Sequence, residues 1–390
     1  MAIKPNHPHP DSYVSSEDFM RTATFGVVLA TFCIGCGGPA IEPRVPERPA
    51  RQPTLEVVAE SDRQWTGVAV TPDDRVFVNF PRWWPEVPIS VAEAEDDGSL
   101  KPFPDAMWNR WGPEADAGTT FVCVQSVVTD AAGHLWVLDP ANPWFQGVVP
   151  GGAKLVEIHP DSREVLRTIA FDEAIAPRNS YLNDVRIDLV HRAAYITDSG
   201  DGALVVVDLD SGASRRLLDD HPSTSAEDVV LTIGGAEWLL PGGAPPQVHA
   251  DGIAYDAAND TVYYQALTGR TLYRIPGAAL RDPKLDAAGL AARVETVAAS
   301  GSSDGLLWDG RDGVFISAIE EDAVKRWSPA GVETVISDPR IAWPDSFALG
   351  PDGALYVTTS QIHHGANPPD PYRVLRIAGL ERSVSRVMNQ

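Results

Sequence analysis

Three aspartates recur at one position of an internal repeat. Asp251, Asp304 and Asp345 each open a short apolar stretch, and the same position earlier in the chain holds Thr66, Gln125 and Asn183. If the repeats surround a common axis, these six polar side chains meet at one height around it. Crowded carboxylates repel one another, and a bound cation or a shared proton relieves the repulsion. Hard cations such as Ca²⁺ favour oxygen donors, which makes Asn183, Asp251 and Asp304 candidate metal ligands. All six positions are candidates for holding a small ligand. An enzyme would also need a proton acceptor, and Asp251, Asp304 and Asp345 are the candidates for that role. Asp251 and Asp304 each precede a glycine, and an Asp-Gly pair could equally cap a turn.

The elements that would position these residues are short strands. Each repeat reads as a hairpin: Thr66–Val70 with Val76–Val78, Gln125–Thr129 with Leu135–Val137, Asn183–Ile187 with Ala194–Asp198, Asp251–Tyr255 with Thr261–Tyr264, Asp304–Trp308 with Gly313–Ile316, and Asp345–Leu349 with Leu355–Val357. Third strands follow most copies, as at Leu155–Ile158 and Val374–Ile377, and fourth strands follow some, as at Ser214–Leu218 and Val332–Ile336. Four antiparallel strands per repeat make a propeller blade. The fold class expected is therefore all-β, a six-bladed β-propeller. A helical repeat is excluded by short β-branched and aromatic runs punctuated by Gly, Pro and Asp. A β-sandwich would leave six similar units unexplained. Few residues follow the last third strand, so Leu55–Val58 is expected to supply the outer strand that closes the ring and covers its edge. Long inserts at Trp83–Thr120, Asp139–Ala153, Asp219–His249 and Leu280–Ala292 are where binding residues are expected.

The first 53 residues differ from the rest. Met20-Arg21 precedes the apolar run Phe25–Ile34, and Cys33-Ile34-Gly35-Cys36 ends it. A basic residue, a short apolar core and a small residue before the cut make an export signal. The tetrad resembles the bacterial lipobox, with Cys33 in place of the usual Leu and Cys36 as the lipidated residue. The C-x-x-C spacing of Cys33 and Cys36 also admits a redox pair or half a zinc site, but Cys123 is the only other cysteine. The expected organisation is an export region over 1–36, a Pro-rich tether over 37–53 and the propeller over 54–390, with Met20 as an alternative start. Localisation would be extracytoplasmic, periplasmic or at the cell surface, with membrane attachment through the lipid alone.

The formal net charge of -23 repels a phosphate backbone, which argues against nucleic acid and for cations. No G-x-S-x-G nucleophile elbow, P-loop or H-E-x-x-H is expected from the sequence. His363 and His364, adjacent after the sixth hairpin, would point to opposite faces of a strand and chelate poorly. Trp83, Trp84, Trp108 and Trp111 could wall the channel mouth or pack the first insert. A monomer is expected.

The segments Thr66–Val70 with Asn79-Phe80-Pro81-Arg82-Trp83, Asn183-Asp184-Val185 with Ala194–Ser199, Ala250-Asp251-Gly252 and Tyr263–Leu267 resemble the major royal jelly protein/Yellow family over roughly Leu55 to Ile377. That resemblance implies a secreted six-bladed propeller whose channel can hold a small aromatic amine. It also implies a possible link to dopachrome conversion, since bacterial relatives carry the label dopachrome tautomerase-related. More distantly the chain resembles the gluconolactonase/senescence marker propellers, which bind a divalent metal through Glu, Asn and Asp. Asn183 and Asp251 match two of those places, and Thr66 stands where the Glu would be. The alternative to a binding protein is thus an enzyme, a tautomerase-like isomerase or a metal-dependent lactonase.

The export reading makes a direct prediction. Cys36→Ser should abolish incorporation of labelled fatty acid and leave the protein soluble or uncleaved. Unchanged labelling and membrane partition would remove the lipobox.

Overall fold

Phe315 and its two neighbours show how the chain builds its core. Phe315 packs against Phe347 and Leu355, while Val314 and Ile316 face the other way onto Tyr263 and Leu272. Side chains alternate across a strand, so a strand apolar at every position must be covered on both faces. Val76–Asn79 behaves alike: Val76 and Val78 pack on one side with Tyr356 and Val374, and Phe77 on the other with Phe103 and Val127. Sheets buried on both faces stack side by side, and hydrophobic layers fill the spaces between them.

In the computed structural model, residues 52–380 are described; Cys36, the export region and nearly all of the expected tether lie outside them. They form six four-stranded antiparallel sheets and an additional two-stranded hairpin. The blades are Val68–Val70, Val76–Asn79, Val91–Ala94 and Leu100–Pro102 (blade 1); Ser126–Thr129, Leu135–Asp139, Lys154–Ile158 and Val165–Ala170 (blade 2); Leu182–Asp188, Ala193–Asp198, Ala203–Asp208 and Ser214–Leu217 (blade 3). Blade 4 is Ala250–Asp256, Thr261–Ala266, Thr271–Pro276 and Glu295–Ala299; blade 5 is Ser303–Trp308, Val314–Ala318, Ala323–Ser328 and Gly331–Ser337. Blade 6 takes Pro344–Leu349, Leu355–Thr359 and Tyr372–Ala378 from the end of the chain and Thr54–Ser61 from its beginning. Each innermost strand packs beside the next, and blade 6 meets blade 1, so the sheets close into a β-propeller.

The closing strand is longer than expected, by one residue at its start and three at its end. Thr54–Ser61 pairs antiparallel with Tyr372–Ala378, and Glu56 and Glu60 form ion pairs with Arg376 and Arg373. The first insert also holds more order than the sequence suggested, because Val91–Ala94 and Leu100–Pro102 inside it are the outer strands of blade 1. Two five-residue helices, Gly277–Arg281 and Ala287–Ala291, fall in and beside the fourth expected insert. Leu280 and Leu290 pack there against blades 3 and 4.

A chain beginning at Thr54 should therefore melt like the full protein. One beginning at Asp62 should melt several degrees lower, at about 2 °C per kcal/mol lost for a domain of this size. Equal melting temperatures would show that the strand does not close the ring.

Candidate functional site

The innermost strands of blades 3 to 6 share a two-against-one bulge, and each bulge begins on a residue of the polar column. Asn183-Asp184 lies opposite Thr197, Asp251-Gly252 opposite Gln265, Asp304-Gly305 opposite Ser317, and Asp345-Ser346 opposite Thr358. A bulge bends the strand and re-aims its side chain. The opposing hydroxyl holds it open: Ser317 Oγ accepts the N–H groups of Asp304 and Gly305 at 3.0 and 2.8 Å, and Thr358 and Thr197 serve Ser346 and Asp184 alike at 3.1 Å. Asp251-Gly252 and Asp304-Gly305 are thus bulged strand and not turn caps. The glycines answer a close approach. A Cβ at Gly252 would lie 2.5 Å from the Asp304 carbonyl oxygen, and one at Gly305 2.1 Å from that of Asp345.

The column does not converge as a complete ring. Gln125, Asn183, Asp251 and Asp304 line a cavity of about 580 Å³ at one mouth of the channel. Thr66 is buried away from it, donating its hydroxyl to the Gln125 carbonyl at 2.8 Å and accepting from Asn79 Nδ2 at 2.8 Å. Asp345 lies outside the lining, with Oδ1 accepting from Ser346 Oγ at 3.0 Å and Oδ2 buried without a partner. Around the mouth a chain of donors runs in one direction. Trp83 Nε1 donates to the Tyr181 hydroxyl (2.5 Å), which donates to Gln125 Oε1 (3.0 Å). Gln125 Nε2 donates to Asn183 Oδ1 (3.2 Å), and Asn183 Nδ2 donates to Asp251 Oδ2 (2.9 Å) and to Ser199 Oγ (2.9 Å). From the other side Trp343 Nε1 donates to Asp304 Oδ2 at 2.6 Å. Apart from the branch to Ser199, these donors lead to Asp251 from one side and to Asp304 from the other.

Asp251 and Asp304 lie close enough on adjacent blades for the charge of Asp304 to raise the proton affinity of Asp251. Burial, then the neighbouring carboxylates of Asp304, Asp184 and Asp345, push Asp251 well above the usual range. Asp304 is pushed up to about 7, by burial first and also by Asp184, while Trp343 pulls the other way. Asp345 rises well above the usual range by burial and the charge of Asp304. Deeper in the channel, Arg186 crosses from blade 3 to the Leu306 carbonyl of blade 5 and lies 3.7 Å from Asp184. A separate cavity of about 280 Å³ lies where Arg186 meets the inner strands of blades 1, 2, 5 and 6.

Rings form the cavity wall. Trp83 and Trp84 come from the first insert, Phe145 from the second and Trp238 from the third; Tyr181 and Trp343 precede the innermost strands of blades 3 and 6. Trp238 meets Trp343 edge-on at 4.9 Å, and Phe145 lies 5.6 Å from Trp83 and 5.1 Å from Tyr181. Phe145 is 62% exposed at the rim, and it and Trp144 hold left-handed backbone, at φ 56° and 55°. Such strain in bulky residues is found where a site needs a side chain placed. Trp108 and Trp111 stay outside the lining: Trp108 packs on Phe121, and Trp111 lies under the Arg82 guanidinium.

His363 and His364 lie on a single 3-10 turn, Ile362–His364, and not on a strand. Gln361, left-handed at φ 44°, redirects the chain so that His363 lines the cavity while His364 is exposed. Tyr181, Trp343 and Gln64 were not singled out from the sequence, yet a signal was present. Each stands two residues before a column position, just ahead of an innermost strand, so the repeat marks these places too. Gly301–Gly305 spells G-x-S-x-G, but Ser303 is a fully buried strand residue donating to the Gly305 carbonyl, without the strand–turn–helix of a nucleophile elbow. Cys123 is a free buried thiol pushed up to about 12, mainly by burial, which makes it inert.

Residues 122–363 match the profile described as Major royal jelly protein. The chain belongs to that family. Among solved structures it is similar to a gluconolactonase from Xanthomonas campestris, at 12% identity and TM-score 0.52, covering 83% of this chain and 89% of that one. It is also similar to a structure described as a putative gluconolactonase (15% identity, TM-score 0.50, 84% and 92% covered) and to a luciferin-regenerating enzyme (14%, 0.50, 84% and 96%). At these identities the likeness is one of fold. A search of curated proteins returns no match.

The carboxyl pair predicts how stability depends on pH. Asp304 is raised from 3.8 to about 7, so between those values the folded protein holds a proton that the unfolded chain has released. Its contribution is complete below the unfolded value and is lost as pH rises through about 7, at up to roughly 1.4 kcal/mol per pH unit. The melting temperature should fall from about pH 5 to about pH 8, and Asp304→Asn should flatten the fall. A profile that rises across this window would show the pair ionised in the folded protein.

Proposed function

We propose that this royal jelly family propeller binds a small aromatic amine at its channel mouth, and that it does so outside the cytoplasm, anchored by lipid on Cys36. One observation carries the ligand reading: a cavity walled by aromatic rings has the Asp251–Asp304 pair on its lining. An ammonium group relieves the repulsion that otherwise keeps a proton on the pair, and the attached ring fills the aromatic space. The family membership agrees with that ligand class.

A divalent cation is less well served. Calcium takes six to eight oxygens, whereas the candidate ligand Asn183 already accepts from Gln125 and Asp304 from Trp343. The Glu of the gluconolactonase-type metal set is replaced by Thr66, whose hydroxyl is turned onto a carbonyl. These residues do not fit that metal, and no lactonase step is drawn through one. An isomerase of the tautomerase type is the second reading, favoured by a carboxyl on the cavity lining, Asp251, whose proton affinity lies well above the usual range.

Calorimetry with tyramine and dopamine tests the proposal. Amine at a hundred times its dissociation constant should stabilise the fold by about 2.7 kcal/mol. Affinity should rise with pH through about 7 as Asp304 ionises. Asp251→Asn and Asp304→Asn should each weaken binding roughly tenfold or more, the worth of about 1.4 kcal/mol. Chelators should change nothing. Stabilisation by Ca²⁺ and not by amines would make the cavity a metal site, and turnover of dopachrome lost in Asp251→Asn would establish the isomerase.

A further inference from the structure

His363 is engaged in no hydrogen bond among the described residues, although it lines the cavity. Its ring stacks on Trp343 at 5.5 Å with 10° between the planes, and Trp343 in turn donates to Asp304. The stacking fixes the imidazole plane against the residue that holds the carboxyl pair. Burial, with the adjacent His364, pushes His363 down to about 4, so the ring is neutral near pH 7 and carries one N–H and one lone pair.

Which nitrogen carries the proton follows from the surroundings. Nδ1 is enclosed and has no partner. A buried N–H without an acceptor costs more than an unused lone pair, so Nδ1 holds the lone pair and Nε2 the hydrogen. Nε2, which lies near Gly234, is not enclosed as Nδ1 is, and His363 lies on the cavity lining. The polar group this ring can present to a ligand is therefore a donor.

The geometry points to His363 as a specificity residue whose Nε2–H donates a hydrogen bond to an oxygen on the ligand's aromatic ring, as a phenol, an aryl ether or a quinone would carry. The inference rests on the amine reading for the ligand's other end. Asp251 and Asp304 take the ammonium, the aromatic wall takes the ring, and His363 distinguishes an oxygenated ring from a bare one. Because the contact needs only an acceptor, a methoxy group serves as well as a hydroxyl. No role for this residue was visible while His363 and His364 were read as neighbours on a strand.

The test compares phenethylamine, tyramine and para-methoxyphenethylamine on the wild-type protein, His363→Phe and His363→Gln. Wild type should bind both oxygenated amines about threefold to tenfold more tightly than phenethylamine, the worth of one hydrogen bond. His363→Phe keeps a ring on Trp343 and should erase that preference, so that the oxygenated amines bind no more tightly than phenethylamine in the same variant; His363→Gln, which retains an N–H, should restore part of it. Preference that persists in His363→Phe overturns the proposal. Para-ethylphenol against ethylbenzene repeats the comparison without an ammonium, so a His363-dependent preference there, with no gain from the amine, would sink the amine reading and keep this one. Nitrogen NMR on wild-type protein gives a readout independent of any variant's folding. The Nε2–H tautomer, with its proton signal shifted downfield by tyramine, is expected, and an Nδ1–H tautomer in the bound state overturns the assignment.

Discussion

The Thr197 hydroxyl sits where one blade is fastened to the next. It accepts the Asp184 N–H inside its own blade and donates to the Asp251 carbonyl of blade 4. Thr358 does the same between blades 6 and 1, accepting from Ser346 and donating to the Thr66 carbonyl, and Asn79 reaches from blade 1 to the Val124 carbonyl leading into blade 2. A bulged strand leaves backbone groups without ladder partners, and buried backbone groups must find others. These side chains supply them, and the carbonyl each one holds belongs to or adjoins a column residue. The joint that closes the ring is thus also the joint that aims the site. Loss of such a hydroxyl would leave a buried N–H and a buried carbonyl unpaired at once, at roughly 1–3 kcal/mol each.

The electrostatics follow from that geometry. Bulges in adjacent blades bring Asp184, Asp251, Asp304 and Asp345 into mutual influence, and all four are buried. Arg186 lies close enough to offset Asp184 only, and weakly at 3.7 Å, because its own guanidinium is committed to the Val185 and Leu306 carbonyls and has lost hydration. Burial, with mutual repulsion among Asp251, Asp304 and Asp345, raises the proton affinity of the carboxyls that remain. A protonated carboxyl satisfied by neighbouring donors is stable but poised, since the same enclosure that makes its charge costly makes a matching cation welcome.

Much of this was legible in the sequence, and the exceptions have identifiable causes. The hairpins were visible because β-branched and aromatic pairs recur between Gly, Pro and Asp turns. Val91–Ala94 was passed over because Glu93 breaks the apolar run; in the fold that carboxylate is paired with Arg75 of its own blade and Arg163 of the next, partners that no local pattern reveals. The column was found, but its members were assumed to face one way. Thr66 turns to a carbonyl and Asp345 sits outside the lining, because a shared position in a repeat fixes height around the axis and leaves side-chain direction to local partners. Three of the inserts flagged by length do reach the mouth, while the fourth forms helices packed on blades 3 and 4. His363 was misjudged for want of one dihedral, the left-handed turn at Gln361, which no composition or periodicity encodes.

Carboxyls and rings depend on each other at this mouth. Carboxylates in an open channel would stay hydrated and ionised, and their mutual repulsion would be screened by water and salt. Trp83, Trp84, Phe145 and Trp238, delivered by loops outside the blades, narrow the water's access and raise the cost of charge beneath them. The rings are themselves partly exposed at the rim, Phe145 most of all, and exposed apolar surface beside a cavity is a common mark of a binding site. A ligand that is apolar along its length and cationic at one end answers both demands: it covers the rings and replaces the proton. Hydration alone answers neither, and a bare metal ion answers only the second. The propeller holds the carboxyls in place through its bulges, and the inserts shape the access to them.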